Sequence, residues 1–330
     1  KVGACGINNN EINTRVGWYS AAVTGPTTDA HEDSPAVTEN GAWGGRLTFP
    51  RIQGADVVGR IVATGGGVSA RRLNERVIVD PQWRDPEAPN DRTRTGYLGS
   101  EYDGGFAEYV VVPAVNAYPV ASAWSDAELA TFPCAYSTAE HMLTRVRVAA
   151  EDTVLITGAS GGVGSALVQL AKRRGAHVVG LSKALKTATV RALGADAVVP
   201  RDTDDMAQSL AASLPGGRAD VVADVVGGGI FPQLLQCLKH GGRYVSAGAI
   251  AGPLVELDLR RLYLMDLEMQ GTTIMPPAIF PALVGYIERR EIRPVLAAQW
   301  PLPDIHRAQT AFLEKRHTGN FVLMPAGPAC

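Results

Sequence analysis

The chain has 330 residues, with 31 lysines and arginines against 33 aspartates and glutamates, 46% hydrophobic and 19% charged. A net charge of −2 gives no general attraction to nucleic acid or an anionic membrane, and the length fits two domains better than one. No apolar run approaches the ~20 residues of a membrane span, no secretory leader is visible, and Cys5, Cys134, Cys237 and Cys330 form no CxxC pair, so free thiols in a reducing cytoplasm are expected.

In chain order, residues 1–7 read as a strand entered partway, and an upstream segment is expected. Residues 20–48 are polar and rich in Gly, Pro, Ser and Thr. They exceed the ~4–6 residues of an ordinary connection and read equally as a functional lid or a mobile insertion. Around residues 49–65, 75–79 and 104–112, short apolar runs alternate with glycine-rich turns, which predicts a compact β-barrel domain over residues 1–123. The pattern changes near Ser125. Residues 126–129 and 137–143 read as helices. Strands are expected at 154–156, 177–181, 197–199, 219–226, 242–246 and 268–273, with helices between them that include 206–214 and 234–240. That alternation predicts a doubly wound parallel sheet over residues 124–274. Residues 275–330 then give helices at 279–289 and 303–316 and a strand at 317–323 that returns to the barrel.

The most informative stretch is 153–186. Val154-Leu155-Ile156 has the unbroken apolar character of a strand buried on both faces. A turn containing Gly158, Gly161, Gly162 and Gly164 follows, then a helix with Val163, Ala166, Leu167, Leu170 and Ala171 on one face. A pyrophosphate at a helix N-terminus meets backbone N–H groups and the positive end of the helix dipole, and it comes that close only where the turn lacks Cβ atoms. Ser160, Gly161, Gly162 and Val163 are therefore expected to bind a dinucleotide. An NAD site usually ends its second strand in Asp or Glu. Here Ser182-Lys183 stands there, with Lys186 three residues on, and these three suit the 2′-phosphate of NADPH.

Five motifs then occur in order: Gly6-Ile7-Asn8, Gly105-Phe106-Ala107-Glu108-Tyr109, Pro133-Cys134-Ala135-Tyr136-Ser137-Thr138-Ala139, the glycine turn, and His317-Thr318-Gly319-Asn320. This order resembles the medium-chain dehydrogenase/reductase superfamily, on the side of quinone oxidoreductase-like and zinc-type alcohol dehydrogenase-like proteins. The resemblance implies an α/β protein with a GroES-like β-barrel catalytic domain built from both chain ends and a central Rossmann domain. It implies Asn8 beside nicotinamide and substrate, and Tyr19 at the mouth of the active site, both as catalytic candidates. It further implies cofactor contacts from Thr138, Gly248, Ala249, Ile250, Ile274, Met275 and Asn320. A homodimer through the last Rossmann strand, residues 268–273, is implied by family habit.

Zinc-type members carry Cys, a His-Glu pair and a second Cys. At these positions the chain has Asn8, Ala55-Asp56 and Cys134. One thiol and one carboxylate fall short of the ~3 protein ligands of catalytic zinc, so no metal is expected. Cys134 then reads as a small buried apolar residue. A carbonyl polarised only by hydrogen-bond donors suits quinones and α,β-unsaturated carbonyls, where the added charge delocalises. The expected function is a zinc-independent, NADPH-dependent reductase of a small-molecule quinone or enone/enoyl substrate. The alternatives are a zinc-type alcohol dehydrogenase or carbonyl reductase, and a non-catalytic NADPH-binding protein. A short-chain dehydrogenase is excluded, because Tyr244, Tyr263 and Tyr286 are followed four residues on by Gly248, Leu267 and Arg290 rather than Lys. Trp18, Trp43, Trp83 and Tyr102 are candidates for an aromatic substrate pocket, against the commoner role of scattered core aromatics.

Overall fold

A computed structural model describes residues 1–29 and 47–325. Most of the 20–48 stretch, with Trp43, lies outside the described residues, as does Cys330. The chain forms two compact units. One comprises Lys1–Val23, Ala30–Ser137 and Pro276–Cys330; the other comprises Thr24–Asp29 and Thr138–Met275.

The strands in chain order are β1 (Val2–Ile7), β2 (Asp56–Arg60), β3 (Arg76–Val79), β4 (Gln82–Arg84), β5 (Thr95–Tyr97), β6 (Ala117–Pro119), β7 (Thr153–Ile156), β8 (His177–Ser182), β9 (Ala197–Pro200), β10 (Ala219–Asp224), β11 (Leu238–Ser246), β12 (Glu268–Gly271), β13 (Leu296–Pro301) and β14 (Asn320–Met324). The helices that position the site are α1 (Asn9–Arg15), α2 (Asp126–Leu129), α3 (Pro133–Arg145) and α4 (Gly162–Arg173).

The first unit is a six-stranded sheet in the order β13-β14-β1-β2-β3-β6, beside a β4–β5 hairpin. The two chain ends meet there, because β14 pairs antiparallel with β1, Cys5 opposite Leu323 and Ile7 opposite Phe321. A small core of Val2, Cys5, Val57, Val79 and Leu98 lies under the sheet, with Phe106, Val110 and Val112 packed on it. Residues 104–112 carry the alternating apolar pattern of a strand, yet they form none. The N–H groups of Gly104, Gly105 and Phe106 instead donate to the carbonyls of Ile52, Gly54 and Gln53 at 2.7, 2.7 and 2.9 Å, which ties the segment to a loop rather than a ladder.

The second unit is a parallel sheet in the order β12-β11-β10-β7-β8-β9, the six-strand doubly wound arrangement. Val154, Leu155 and Ile156 of the central β7 are all 0% exposed, as a strand covered on both faces requires. Chain order reverses at β7, and ligands of such sheets bind where strands leave at their carboxyl ends on either side of that point.

Several boundaries differ from those expected of the sequence. The helix expected over 234–240 is Phe231–Gln236, because residue 238 is already held in the sheet opposite Ala219, whose N–H donates to Cys237 O at 2.8 Å. β10 stops at Asp224 rather than 226, because the N–H groups of Val225 and Val226 turn to side chains. The helix expected over 303–316 shortens to Ile305–Leu313, and β14 starts at Asn320 instead of 317, after Gly319 at φ +81°. β13 was not expected; its Leu296–Pro301 run has little apolar pattern of its own and is a strand because it pairs parallel with β14.

Candidate functional site

The second unit builds the nucleotide turn. Gly158, at φ +57°, turns the chain out of β7, and Gly161 N–H closes the turn on Gly158 O at 2.9 Å. Ser165 N–H then donates to Gly161 O at 2.8 Å, the first bond of α4. The decisive residue is Gly164: a Cβ there would stand 2.0 Å from Gly158 O. Helix and turn meet backbone to backbone, which aims the α4 N-terminus along the turn. Gly161 caps that end with no side chain on its N–H groups, the arrangement that suits a pyrophosphate. Ser160, Gly161, Gly162 and Val163 all lie here, and Ala159 N–H ties the turn to Leu181 O of β8 at 3.1 Å.

The end of β8 places Ser182, 2% exposed, and Lys183, which caps a short 3₁₀ turn through Lys186. A third cation joins them. Arg201 N–H donates to Ser182 O at 2.7 Å, just past β9. The Lys186 pKa is lowered by partial burial first, and then by the charges of Lys183 and Arg201. Three cations therefore share one corner, with Asp202 beside them accepting from Ala184 N–H at 3.2 Å. Sequence reading did not single out Arg201. It stands 19 residues after Ser182, and only the parallel register that sets Ser182 opposite Pro200 brings it in.

Two further loops of this unit are joined edge to edge. Gly228 N–H donates to Gly252 O at 3.1 Å, and Ala251 N–H to Val226 O at 2.8 Å. Gly248, Ala249 and Ile250 belong to the second loop, where Thr27 N–H caps Ile250 O at 3.1 Å. Ile274 and Met275 follow β12, and Thr138 lies on α3. All these predicted cofactor residues fall in the second unit, whereas Asn8, Tyr19 and Asn320 fall in the first. Asn320 opens β14, 3% exposed, with its N–H on Val295 O at 2.9 Å.

In the first unit Asn8 sits at the mouth of α1, 9% exposed, between two buried carboxylates. Glu11 accepts from Asn8 N–H at 2.6 Å and from Ala55 N–H at 3.3 Å. Asp56 accepts from Asn8 Nδ2 at 2.8 Å and from Cys134 N–H at 2.7 Å. Burial raises the Glu11 carboxyl to about 8, with the charge of Asp56 adding to it. Burial alone raises Asp56 to about 7, against the opposing bonds from Asn8 and Cys134. Tyr97 lies against Cys134, its phenol held well above the ordinary range by burial first and then by Cys134 and Asp56. Glu11 and Tyr97 carried no signal that sequence reading used.

This network bears on metal binding. The Ala55 side chain has no ligand atom, Asn8 offers a neutral amide whose Nδ2 turns to Asp56, and both Asp56 oxygens hold protein N–H groups. Among the described residues no group of three or more His, Cys, Asp and Glu is placed to hold an ion. The donor set does not fit a tetrahedral zinc.

Tyr19 is 36% exposed, but its hydroxyl end is buried against Asn13, and that burial raises its phenol. Trp18 meets Tyr19 edge-on at 5.5 Å, whereas Trp83 stacks on Tyr102 at 4.0 Å. The candidate aromatic set is thus resolved into pairs, with Trp43 outside the described residues.

A GroES-like unit and a doubly wound sheet with a glycine turn of the kind that suits a pyrophosphate define a two-domain nicotinamide-dependent dehydrogenase class. Residues 1–122 match the family described as alcohol dehydrogenase GroES-like domain, and residues 162–289 the one described as zinc-binding dehydrogenase. A putative alcohol dehydrogenase from Sinorhizobium meliloti 1021 is 47% identical, with a TM-score of 0.87 covering 98% of this chain and 87% of that one. An acryloyl-coenzyme A reductase from Metallosphaera sedula is 29% identical over 84% of each chain. The 2-octenoyl-CoA carboxylase reductase CinF, from a Streptomyces species, was solved with NADP and 2-octenoyl-CoA; it is 27% identical, with a TM-score of 0.82 covering 99% of this chain and 78% of that one. The chain belongs to the medium-chain dehydrogenase/reductase superfamily of oxidoreductases.

Two predictions follow from this geometry. Gly164→Ala forces α4 off the turn and is expected to cost at least ~2 kcal/mol of stability in a denaturant titration; an unchanged midpoint would contradict the backbone contact. The buried carboxylates set the second. Both folded-state values lie above the ordinary 3.8 and 4.5, so folding favours the protonated forms. Their contribution to stability is full below pH ~4 and is lost as pH rises through about 7 and 8. Thermal melts should therefore show Asp56→Asn losing less stability than the unaltered chain between pH 5.5 and 8.5, each end ~1.5 units from the Asp56 value of about 7. Equal losses in the two proteins would contradict it.

Proposed function

We propose that the chain is an NADPH-dependent, zinc-independent reductase that delivers hydride to the conjugated carbon of an α,β-unsaturated carbonyl, an enone or enoyl compound, or to a quinone. The observation that carries this reading is the Asn8–Asp56–Cys134 network, which puts hydrogen-bonded protein groups where zinc-type relatives place ligands. The names of relatives agree with it: acryloyl-coenzyme A and 2-octenoyl-CoA are both conjugated thioesters.

Bound NADPH would supply the hydride from its nicotinamide ring. The rest falls to residues of the chain. The Gly158–Gly164 turn and the α4 N-terminus receive the pyrophosphate, and Lys183, Lys186 and Arg201 the 2′-phosphate. Asp56 fixes one amide hydrogen of Asn8 and leaves the other as the donor for a carbonyl oxygen. A conjugated acceptor spreads the incoming charge, so such donors are sufficient without a Lewis acid. Tyr19, kept as a neutral phenol on Asn13, or water delivers the proton. Thr138, Gly248, Ala249, Ile250, Ile274, Met275 and Asn320 complete the cofactor contacts.

The same reading includes a homodimer formed through β12, an edge strand flanked by exposed Leu259, Tyr263 and Leu264, and residence in the cytoplasm, where the buried thiols of Cys5, Cys134 and Cys237 stay reduced. No helix among the described residues is long and apolar enough to cross a membrane.

The test is cofactor oxidation with a panel of quinones, enones and enoyl thioesters, together with metal analysis of the purified protein. Turnover at metal contents far below one ion per chain supports the reading; stoichiometric zinc, or oxidation of alcohols alone, sinks it. Exchanging Lys183 and Arg201 together for Ala should raise KM for NADPH by ~10-fold or more and leave KM for NADH within ~2-fold, because only the former carries the phosphate that they meet.

A further inference from the structure

The second unit contains a carboxylate that neither the glycine turn nor the cation corner uses. Asp224 ends β10 and is 0% exposed. Its Oδ1 accepts from Thr157 Oγ1 at 2.5 Å and from Val226 N–H at 2.8 Å. Its Oδ2 accepts from the Tyr244 hydroxyl at 2.6 Å. Gly227 N–H divides between the two oxygens at 3.2 Å each. Thr157 uses the lone pair left on Oγ1 to take Val225 N–H at 3.0 Å.

The origin of these donors is what matters. Thr157 is the last residue before the glycine turn, and Tyr244 belongs to β11. The N–H groups come from the loop of residues 225–229, whose backbone is bonded in turn to Gly252 and Ala251 of the next loop. Gly227 and Gly228, at φ +62° and +66°, give that loop a shape that side-chain-bearing residues adopt at a cost. One side chain therefore links the start of the phosphate-binding turn to the two loops that carry Gly248, Ala249 and Ile250.

We infer that Asp224 is a positioning residue for the nicotinamide half of the cofactor: it fixes the loops of residues 225–229 and 248–252 relative to the glycine turn. The inference rests on the NADPH reading above. Asp224 touches no cofactor in this account; it acts through Thr157, Val226 and Gly227. Its role requires an acceptor on both sides at once. Asn has one acceptor oxygen: an NH2 on the Oδ1 side would meet the Val226 N–H donor against donor, and one on the Oδ2 side would turn the Tyr244 hydroxyl from donor to acceptor and take away one of the two oxygens that Gly227 N–H shares. Tyr244 is fitted to the same task. Burial, and then the nearby Asp224, raise its phenol, which keeps it a donor.

Two probes separate positioning from simple stability: NADPH and adenosine 2′,5′-bisphosphate, which lacks the nicotinamide half. Dissociation constants are measured for both on the folded full-length chain. In Asp224→Asn the NADPH constant should rise ~10-fold or more while that of the bisphosphate stays within ~2-fold. Should Asp224→Asn fail to fold, Thr157→Val removes the same tie from the other end and should give the same split; Thr157→Ser, which keeps the hydroxyl, should restore wild-type affinity for NADPH. A purely structural role would weaken both ligands together or lower only the melting temperature, and either result overturns the inference. An unaltered chain that binds the bisphosphate and NADPH no better than it binds NADH would instead overturn the cofactor reading, and this inference with it.

Discussion

Where β7 hands over to α4, two stretches of backbone come so close that a single methyl group would separate them. A Cβ on Gly164 would lie 2.0 Å from Gly158 O. The constraint is steric and local, but much of the second unit is arranged by it. It sets where α4 begins and leaves the N–H groups of its first turn clear of side chains. It also fixes the turn against β8 through Ala159 N–H. With β7 central in the sheet and fully buried, the turn emerges at the point where chain order reverses. The exposed helix end that would suit a phosphate is thus a consequence of how closely one helix meets one strand.

The cation corner shows how parallel pairing adds to what the turn begins. Lys183 and Lys186 follow β8 directly, whereas Arg201 arrives from β9. Parallel strands release their chains at the same edge, so residues distant in sequence gather there without any motif linking them. Like charges brought together repel, and the lowered pKa of Lys186 records that cost together with its partial burial. A group carrying two negative charges would offset it, and a bare ribose hydroxyl would not.

How much of this was legible in the sequence depended on the range of the interaction. The β7–turn–α4–β8 unit was legible because its signals are contiguous: an apolar triplet, glycines, then a 3.6-residue period. The stretch expected as a strand at 104–112 had apolar residues enough but forms no ladder: the N–H groups of residues 104–106 go to residues 52–54, and Glu108 O takes a single bond from Val2 N–H. β13 is the opposite case, a strand made by its neighbour β14 rather than by its own composition. Within the candidate site, Asn8 and Lys183 could be proposed from their position in a motif. Arg201, Glu11 and Asp224 could not, because each acquires its role from a register or a bond that spans many residues. The absence of His and Cys at two metal-ligand positions was plain in the sequence; that Asp56 spends both oxygens on protein N–H groups was not.

Both units bury carboxylates at the point where backbone has to be held in an irregular path, and the two solutions differ in a way that bears on their roles. Asp224 gathers four donor groups, two of them hydroxyls, and no second acid is bonded into its set. Such a satisfied acceptor rigidifies its surroundings. Glu11 and Asp56 each accept from two N–H groups; burial lifts both into the neutral range, and the charge of Asp56 lifts Glu11 further. Asn8 stands between them, backbone on one acid and side chain on the other. A change of charge at either acid is therefore transmitted to the orientation of that amide. The second unit holds its carboxylate as a fixed anchor, while the first holds a pair whose ionisation is coupled to the very side chain that would meet a substrate. That coupling is the physical reason to look for pH dependence at Asn8, if the proposed reaction runs there, rather than at the glycine turn.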